Sequence, residues 1–205
     1  MIRNVIFDIG NVLMDFRWME YMHSLFGEDE RTIESVNQAI WRHGTWVSMD
    51  EGANEADAIE KAVSIVPSHE AEIRRAFANA GQAMHKQNYA IPWIQELKRM
   101  EKRVFYLSNY SAFSIKANRD VLDFLPYMDG GVFSYQVHIV KPNPEIYRLL
   151  CKKYNLKAAE CLFTDDMPDN IAAAQECGFH AVLFEGYEKS YPVIMEAIQS
   201  SEFED

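Results

Sequence analysis

The chain has 205 residues, 48% of them hydrophobic and 25% charged, which suits one large domain with a sizeable core, or one domain carrying an insertion. Its net charge of −11 is spread along the sequence, so the basic footprint that a nucleic-acid backbone requires is missing and no nucleic-acid partner is expected. Cys151, Cys161 and Cys177 lack metal-type spacing and read as reduced thiols; no apolar run reaches membrane or secretion-signal length, so a cytoplasmic setting away from membranes is expected.

Residues 2–8, IRNVIFD, read as a buried strand ending in a carboxylate. Residues 16–90 contain no convincing β run and are rich in Glu, Ala, Met, Gln and Lys, so this block reads as all-helical. From residue 91 the texture alternates: helix 91–100, strand 102–109, helix 114–125, a short strand 131–135, helix 143–155, strand 159–166, helix 169–178, strand 180–185 and a final helix 193–201. Strands separated by helices of about ten residues imply βαβ units, hence an α/β fold with a parallel sheet and helices on both faces. The expected division is a core of residues 1–15 and 91–205, with 16–90 inserted after the first strand.

In an open parallel sheet, ligands bind beyond the carboxyl ends of the strands. The residues at those ends are Asp8 after VIF, Ser108 and Asn109 after VFYL, and Asp165 and Asp166 after CLFT, with Lys141 in the loop HIVKPNP. Three carboxylates gathered at one place repel unless a cation lies between them, and hard oxygen ligands suit Mg2+. A carboxylate can then attack phosphorus, because neutralised phosphoryl oxygens let one anion approach another. Lys141 and the Ser108-Asn109 pair supply the positioning and charge that phosphoryl transfer mostly needs.

The stretches FDIGN, YLSN, VKPNPEIY and TDDMPDN, in this order and strand context, resemble the haloacid dehalogenase-like hydrolase superfamily over essentially the whole chain. The resemblance implies a Rossmann-like core with residues 16–90 as a helical cap, and a Mg2+-dependent phosphatase acting on a small phosphorylated metabolite. It makes Asp8 the nucleophile, carried through an aspartyl-phosphate. Mg2+ would be held by Asp8, the Gly10 carbonyl, Asp166 and, through water, Asp165, with the order of the last two left open. Ser108 and Asn109 would bind phosphate, Lys141 would neutralise charge on phosphate and Asp8, and Asn170 would orient Lys141 or a metal-bound water close to the substrate.

The departure from that pattern is Gly10, since most phosphatases of the superfamily carry a second Asp there that protonates the leaving group and activates water. General acid-base catalysis is worth about 10²–10⁴-fold, so the loss implies slowed turnover, and it favours a leaving group that needs little protonation. The overall pattern looks like the subgroup that includes sugar-phosphate phosphatases acting on glucose 1-phosphate and the phosphatase domain of soluble epoxide hydrolases. Two other readings compete: a 2-haloacid dehalogenase, for which Arg17 is the only near candidate to hold halide and carboxylate, and a weakly active homologue that binds a phosphorylated ligand or a protein. Asp15 reads as a polar anchor for the cap junction, and Gly52 as a turn between cap helices. Trp41, His43, Trp46 and Met49 form either packing core or the wall that encloses the leaving group.

Overall fold

The apolar runs of the sequence become the middle of a five-stranded sheet in the computed structural model, which describes residues 1–200. In chain order, β1 (Asn4–Phe7) leads through a short loop to β2 (Met14–Phe16). Helices α1 (Trp18–Phe26), α2 (Glu30–Asn37), α3 (Thr45–Asp50), α4 (Glu55–Ile65) and α5 (Glu70–Ala78) follow, with a turn of π-helix at Gln38–Arg42, and β3 (Met84–Lys86) returns beside β2. Alternation then sets in: α6 (Ala90–Arg99), β4 (Arg103–Ser108), α7 (Ala112–Ala117), β5 (Gly130–Phe133), α8 (Pro144–Tyr154), β6 (Cys161–Asp165), α9 (Pro168–Glu176), β7 (His180–Leu183) and α10 (Tyr187–Ser200).

The strand order is β5-β4-β1-β6-β7, with every neighbouring pair parallel. Successive side chains of a strand face opposite sides, and β1 shows the consequence: Val5 and Phe7 join the apolar cluster containing Trp93 and Ile194, whereas Ile6 joins the one containing Tyr147 and Leu150. A sheet buried on both faces explains why its strands read as continuous apolar runs. From β1 the chain winds outward through β4 and β5, then crosses back to β6 on the other side of β1. The order therefore reverses beside β1, and the crevice at that reversal is where an open α/β sheet binds its ligand.

The segment between β2 and β3 has an apolar cluster of its own, built from Trp18, Met22, Ile33, Ile40, Met49 and Phe77 among others. Its two ends are tied by a short antiparallel ladder, Met14↔Lys86, Asp15↔His85 and Phe16↔Met84, which the all-helical expectation for 16–90 did not contain. Three-residue segments of mixed polarity carry no alternation long enough to read, and the pairing arises because the fold brings the two ends of the insertion together. Asp15 lies within this ladder and pairs with Arg17 at 2.7 Å, in keeping with an anchor at the junction.

Two helices differ from expectation. The one expected over 114–125 stops at Ala117, where the Asn118 N–H and its Nδ2 both donate to the Ser114 carbonyl, at 3.0 and 2.9 Å, so the side chain folds back onto the last turn. The last helix begins at Tyr187 instead of 193 and runs through Pro192, although proline removes a helical hydrogen bond. Aromatic packing offsets that loss: Tyr187 stacks on Tyr89 at 4.2 Å and Tyr191 lies 5.9 Å from Trp93. Residue 201, the end of that expected helix, lies outside the described residues. Among the described residues, no helix is long and apolar enough to cross a membrane.

Candidate active site

Every anion- or metal-handling group expected from the sequence arrives at the carboxyl edge of the sheet, around the reversal beside β1. Asp8 follows β1 directly, and its main-chain N–H donates to the Thr164 carbonyl of β6 at 2.9 Å, which continues the sheet pairing one residue past the strand. Asp165 ends β6. Lys141 reaches between them with Nζ 2.9 Å from Asp8 Oδ1 and 2.5 Å from Asp165 Oδ2. All three side chains are buried.

Burial raises the Asp8 carboxyl to about 6; the Lys141 charge pulls it down and the Asp165 charge adds to the rise. The Ser108 hydroxyl at the end of β4 favours the ionised form of Asp8. Desolvation lowers the Lys141 ammonium, but the Asp8 and Asp165 charges outweigh it and the net direction is upward, so Lys141 remains a cation.

Lys141 is held by its backbone as well as its charge. Asn109 Nδ2 donates to the Lys141 carbonyl at 3.0 Å, and the Lys141 N–H donates to Asn109 Oδ1 at 2.7 Å. The Asn109 side chain is thus committed to the lysine loop, which leaves the expected phosphate contact to its main-chain amide, and Asn109 also lines the cavity described below. Beyond the lysine, Asn143 caps α8 by accepting from the Glu145 N–H at 3.0 Å, with Pro144 at the first helical position, so the loop ends in a rigid helix start.

Asn170, in the first turn of α9, is brought to Asp165 instead of to Lys141 or the open cavity: Nδ2 lies 2.9 and 3.0 Å from the two carboxylate oxygens. The Met167 N–H adds a third donor at 2.8 Å. Asp165 is therefore closed off by Lys141, Asn170 and Met167, while the half-buried Asp166 faces the cavity and accepts from Asn11 Nδ2 at 2.9 Å. Ligand oxygens of Asp8, Asp165 and Asp166 all lie within 4.8 Å of one another. Three carboxylates with one ammonium leave surplus negative charge in a set of hard oxygen donors, which fits a divalent cation such as Mg2+.

A cavity of about 430 Å³ opens over this edge, lined by Asp8, Gly10, Asn11, Asn109 and Asp166 below and by Phe16, Trp41, Trp46, Val47 and Phe113 above. Trp41 and Trp46 pack at 4.7 Å and Phe16 meets Trp41 at 5.6 Å, so the upper wall is a continuous aromatic surface. Of the four residues left open between core and wall, Trp41 and Trp46 face the cavity, Met49 is fully buried among the cap residues, and His43 is exposed.

Sequence reasoning passed over two residues of the site. Asn11 follows Gly10 with a left-handed φ of 55°, a conformation asparagine tolerates, and its amide bridges Asp166 and the Phe16 N–H. Asp50, the last residue of α3, lines the cavity from the cap side at 8% exposure. Its only signal in the sequence is that it is the first of two adjacent acids, Asp50 and Glu51, closing the stretch TWVSM.

The comparisons with known proteins agree with this architecture. The haloacid dehalogenase-like hydrolase family model matches residues 2–178. D-ribitol-5-phosphate phosphatase of Bacteroides thetaiotaomicron is 24% identical over 188 residues, covering 87% of this chain and 90% of that protein. A predicted family hydrolase from Porphyromonas gingivalis superposes with a TM-score of 0.75 at 23% identity, over 97% of this chain and 98% of its own. A family enzyme from Bacteroides thetaiotaomicron, solved in complex with magnesium and inorganic phosphate, superposes with a TM-score of 0.69 at 20% identity, over 89% of this chain and 94% of its own. With most of its length matched by the family and its sheet, strand-end acids and buried lysine in place, the chain belongs to the haloacid dehalogenase-like hydrolases.

Proposed function

We propose that this protein is a Mg2+-dependent phosphatase that hydrolyses a small phosphorylated metabolite through an aspartyl-phosphate on Asp8. The observation that carries the reading is the buried Asp8–Lys141–Asp165 arrangement with Asp166 beside it, opening on the aromatic-walled cavity. Asp8, Asp166 and the Gly10 carbonyl would hold Mg2+, with Asp165 behind them, and the bound cation would neutralise phosphoryl charge. An Asp8 oxygen attacks phosphorus, the bond to the leaving oxygen breaks, and water then cleaves the acyl-phosphate to return Asp8 and release inorganic phosphate. Lys141, Ser108 and the Asn109 main chain would bind the non-bridging oxygens, and Asn170 would keep Asp165 aligned to hold Lys141.

The relatives support a phosphate ester as substrate: one is named for ribitol 5-phosphate, and a structural neighbour holds magnesium and phosphate. Cavity size and an aromatic wall fit a leaving group of sugar dimensions with an apolar face, and a sugar phosphate such as glucose 1-phosphate is the first candidate. The dehalogenase alternative is disfavoured, because Arg17 is drawn to Asp15 and Glu20, has 47% of its side chain in solvent, and does not line the cavity.

The test is a panel of phosphorylated metabolites and 2-haloacids assayed with Mg2+ and with EDTA, on the wild type and Asp8→Asn. Phosphate release that requires both Mg2+ and Asp8 is expected. Metal-independent halide release would replace this reading with the dehalogenase, and ligand-induced thermal shifts without turnover would replace it with a binding protein.

A further inference from the structure

Phosphoryl transfer to Asp8 leaves a negative charge on the departing oxygen, and hydrolysis of the acyl-phosphate needs a proton removed from water. Gly10, lacking a side chain, can do neither. One carboxylate on the cavity wall has no other assignment. Asp50 is 8% exposed, and its Oδ1 has no hydrogen-bond partner among the described residues. Burying a carboxyl without a partner is unfavourable, so packing alone does not account for an acid at this position.

The main chain around Asp50 is nevertheless fixed to the core. Ser134, just after β5, donates its hydroxyl to the Asp50 carbonyl at 2.6 Å, and Ser134 Oγ in turn accepts from the Tyr110 N–H at 3.0 Å. At the next residue, the Glu51 carbonyl lies 2.8 Å from His138 Nδ1. These bonds run from the cap to loops that follow β4 and β5, and they hold Asp50 above the edge where Asp8 emerges while leaving its carboxyl uncommitted. A group fixed by its backbone and free at its functional end is pre-organised for chemistry.

We propose that Asp50, carried on the cap, is the proton donor and acceptor of the phosphatase reaction, taking the role that Gly10 cannot fill. The proposal rests on the phosphatase reading above. As Asp8 attacks and the phosphorus–oxygen bond breaks, the Asp50 carboxylic acid gives its proton to the leaving oxygen, which departs as the neutral alcohol. The resulting Asp50 carboxylate takes a proton from the water that attacks the acyl-phosphate; the phosphorus–Oδ electron pair returns to Asp8, inorganic phosphate leaves, and Asp50 is again protonated. Burial, with the neighbouring Asp8 charge, raises this carboxyl to about 7 against the pull of Lys141, so both forms are accessible near neutrality. With Asp50 in this role, Gly10 no longer confines the enzyme to leaving groups that depart unaided.

The test compares two aryl phosphates of nearly equal shape. p-Nitrophenyl phosphate releases a phenolate that needs no proton, whereas p-cresyl phosphate releases a much more basic one. Rapid-quench measurement of phospho-enzyme formation with Mg2+ isolates the first step, and requiring that this burst vanish in Asp8→Asn tests the phosphatase reading separately. In Asp50→Asn, the p-nitrophenyl burst is expected within about threefold of wild type, while the p-cresyl burst falls about a hundredfold and phospho-enzyme accumulates with both. Equal slowing of the two bursts, or a p-cresyl burst left intact, overturns the proposal. Asp50→Ser, with a smaller side chain, provides the same comparison if the Asn variant does not fold.

Discussion

Lys141 and Asp165 form an ion pair of 2.5 Å in which neither side chain is more than 1% exposed. Such a pair has little net value against a hydrophobic replacement, yet removing one partner strands a buried charge and costs about 3–5 kcal/mol. Lys141→Met would leave Asp8 and Asp165 facing each other uncompensated. It is expected to abolish turnover and to lower the unfolding free energy by an amount of that order, read from urea titration of the metal-free protein. Added Mg2+ is expected to recover part of the stability and none of the activity.

Gly10 has no atom within 4 Å of where a Cβ would stand, so a Cβ fits there without displacing anything, and the cavity it lines leaves room beyond. Gly10→Asp is therefore expected to fold with a wild-type melting temperature. Placed on Asp50→Asn, it is expected to restore p-cresyl phosphate turnover at least about tenfold, within the range ordinary for general acid catalysis, as measured by steady-state kinetics.

Gly52 has φ 103° and lies under the His138 ring, where an added Cβ would come within 2.3 Å of Nδ1. Gly52→Ala combines a strained backbone with a clash at the point where Glu51 meets His138. A loss of about 1–3 kcal/mol is expected, with kcat falling more than the affinity for inorganic phosphate, because the proposed phosphate site is at the sheet edge while Asp50 depends on this contact. Thermal melts and phosphate inhibition constants separate the two effects.

The Asp50 carboxyl has an ordinary value of 3.8 and stands near 7 in the fold, where it faces Asp8, Glu51 and Lys141. A folded-state value above the unfolded one means that the native protein binds the proton more tightly. The associated stability is complete below about pH 4 and is lost as pH rises through 7. Relative to Asp50→Asn, the metal-free wild type is therefore expected to lose melting temperature progressively between pH 5 and pH 8. A difference between the two that stays constant across this range would contradict the assignment.

The parallel sheet and the acids at its edge were legible because buried strands keep an unbroken apolar signature, VIF, VFYL and CLFT, and each ends abruptly in a polar residue. Roles set by contacts between distant segments were not. Asn109 and Lys141 are 32 residues apart, and only the fold shows that the amide serves the lysine's main chain. Asn170 is close enough in sequence to suggest a link to the acids, but spacing alone does not say that Asp165 is its partner. Asp50 was the hardest case: acids in helical segments are usually solvated, and its burial exists only once the cap lies on the core.

Trp41, Trp46 and Asp50 all lie in one stretch of chain with an apolar cluster of its own, while Asp8, Lys141 and Asp165 belong to the sheet. The aromatic residues that wall the cavity and the residue proposed to protonate the leaving group are thus inherited together. Exchanging that stretch for a relative's would change both properties in one step and leave the nucleophile untouched. A chimera with a foreign cap would then bind new esters yet release them sluggishly, unless the donor segment brought an acid of its own or position 10 regained one.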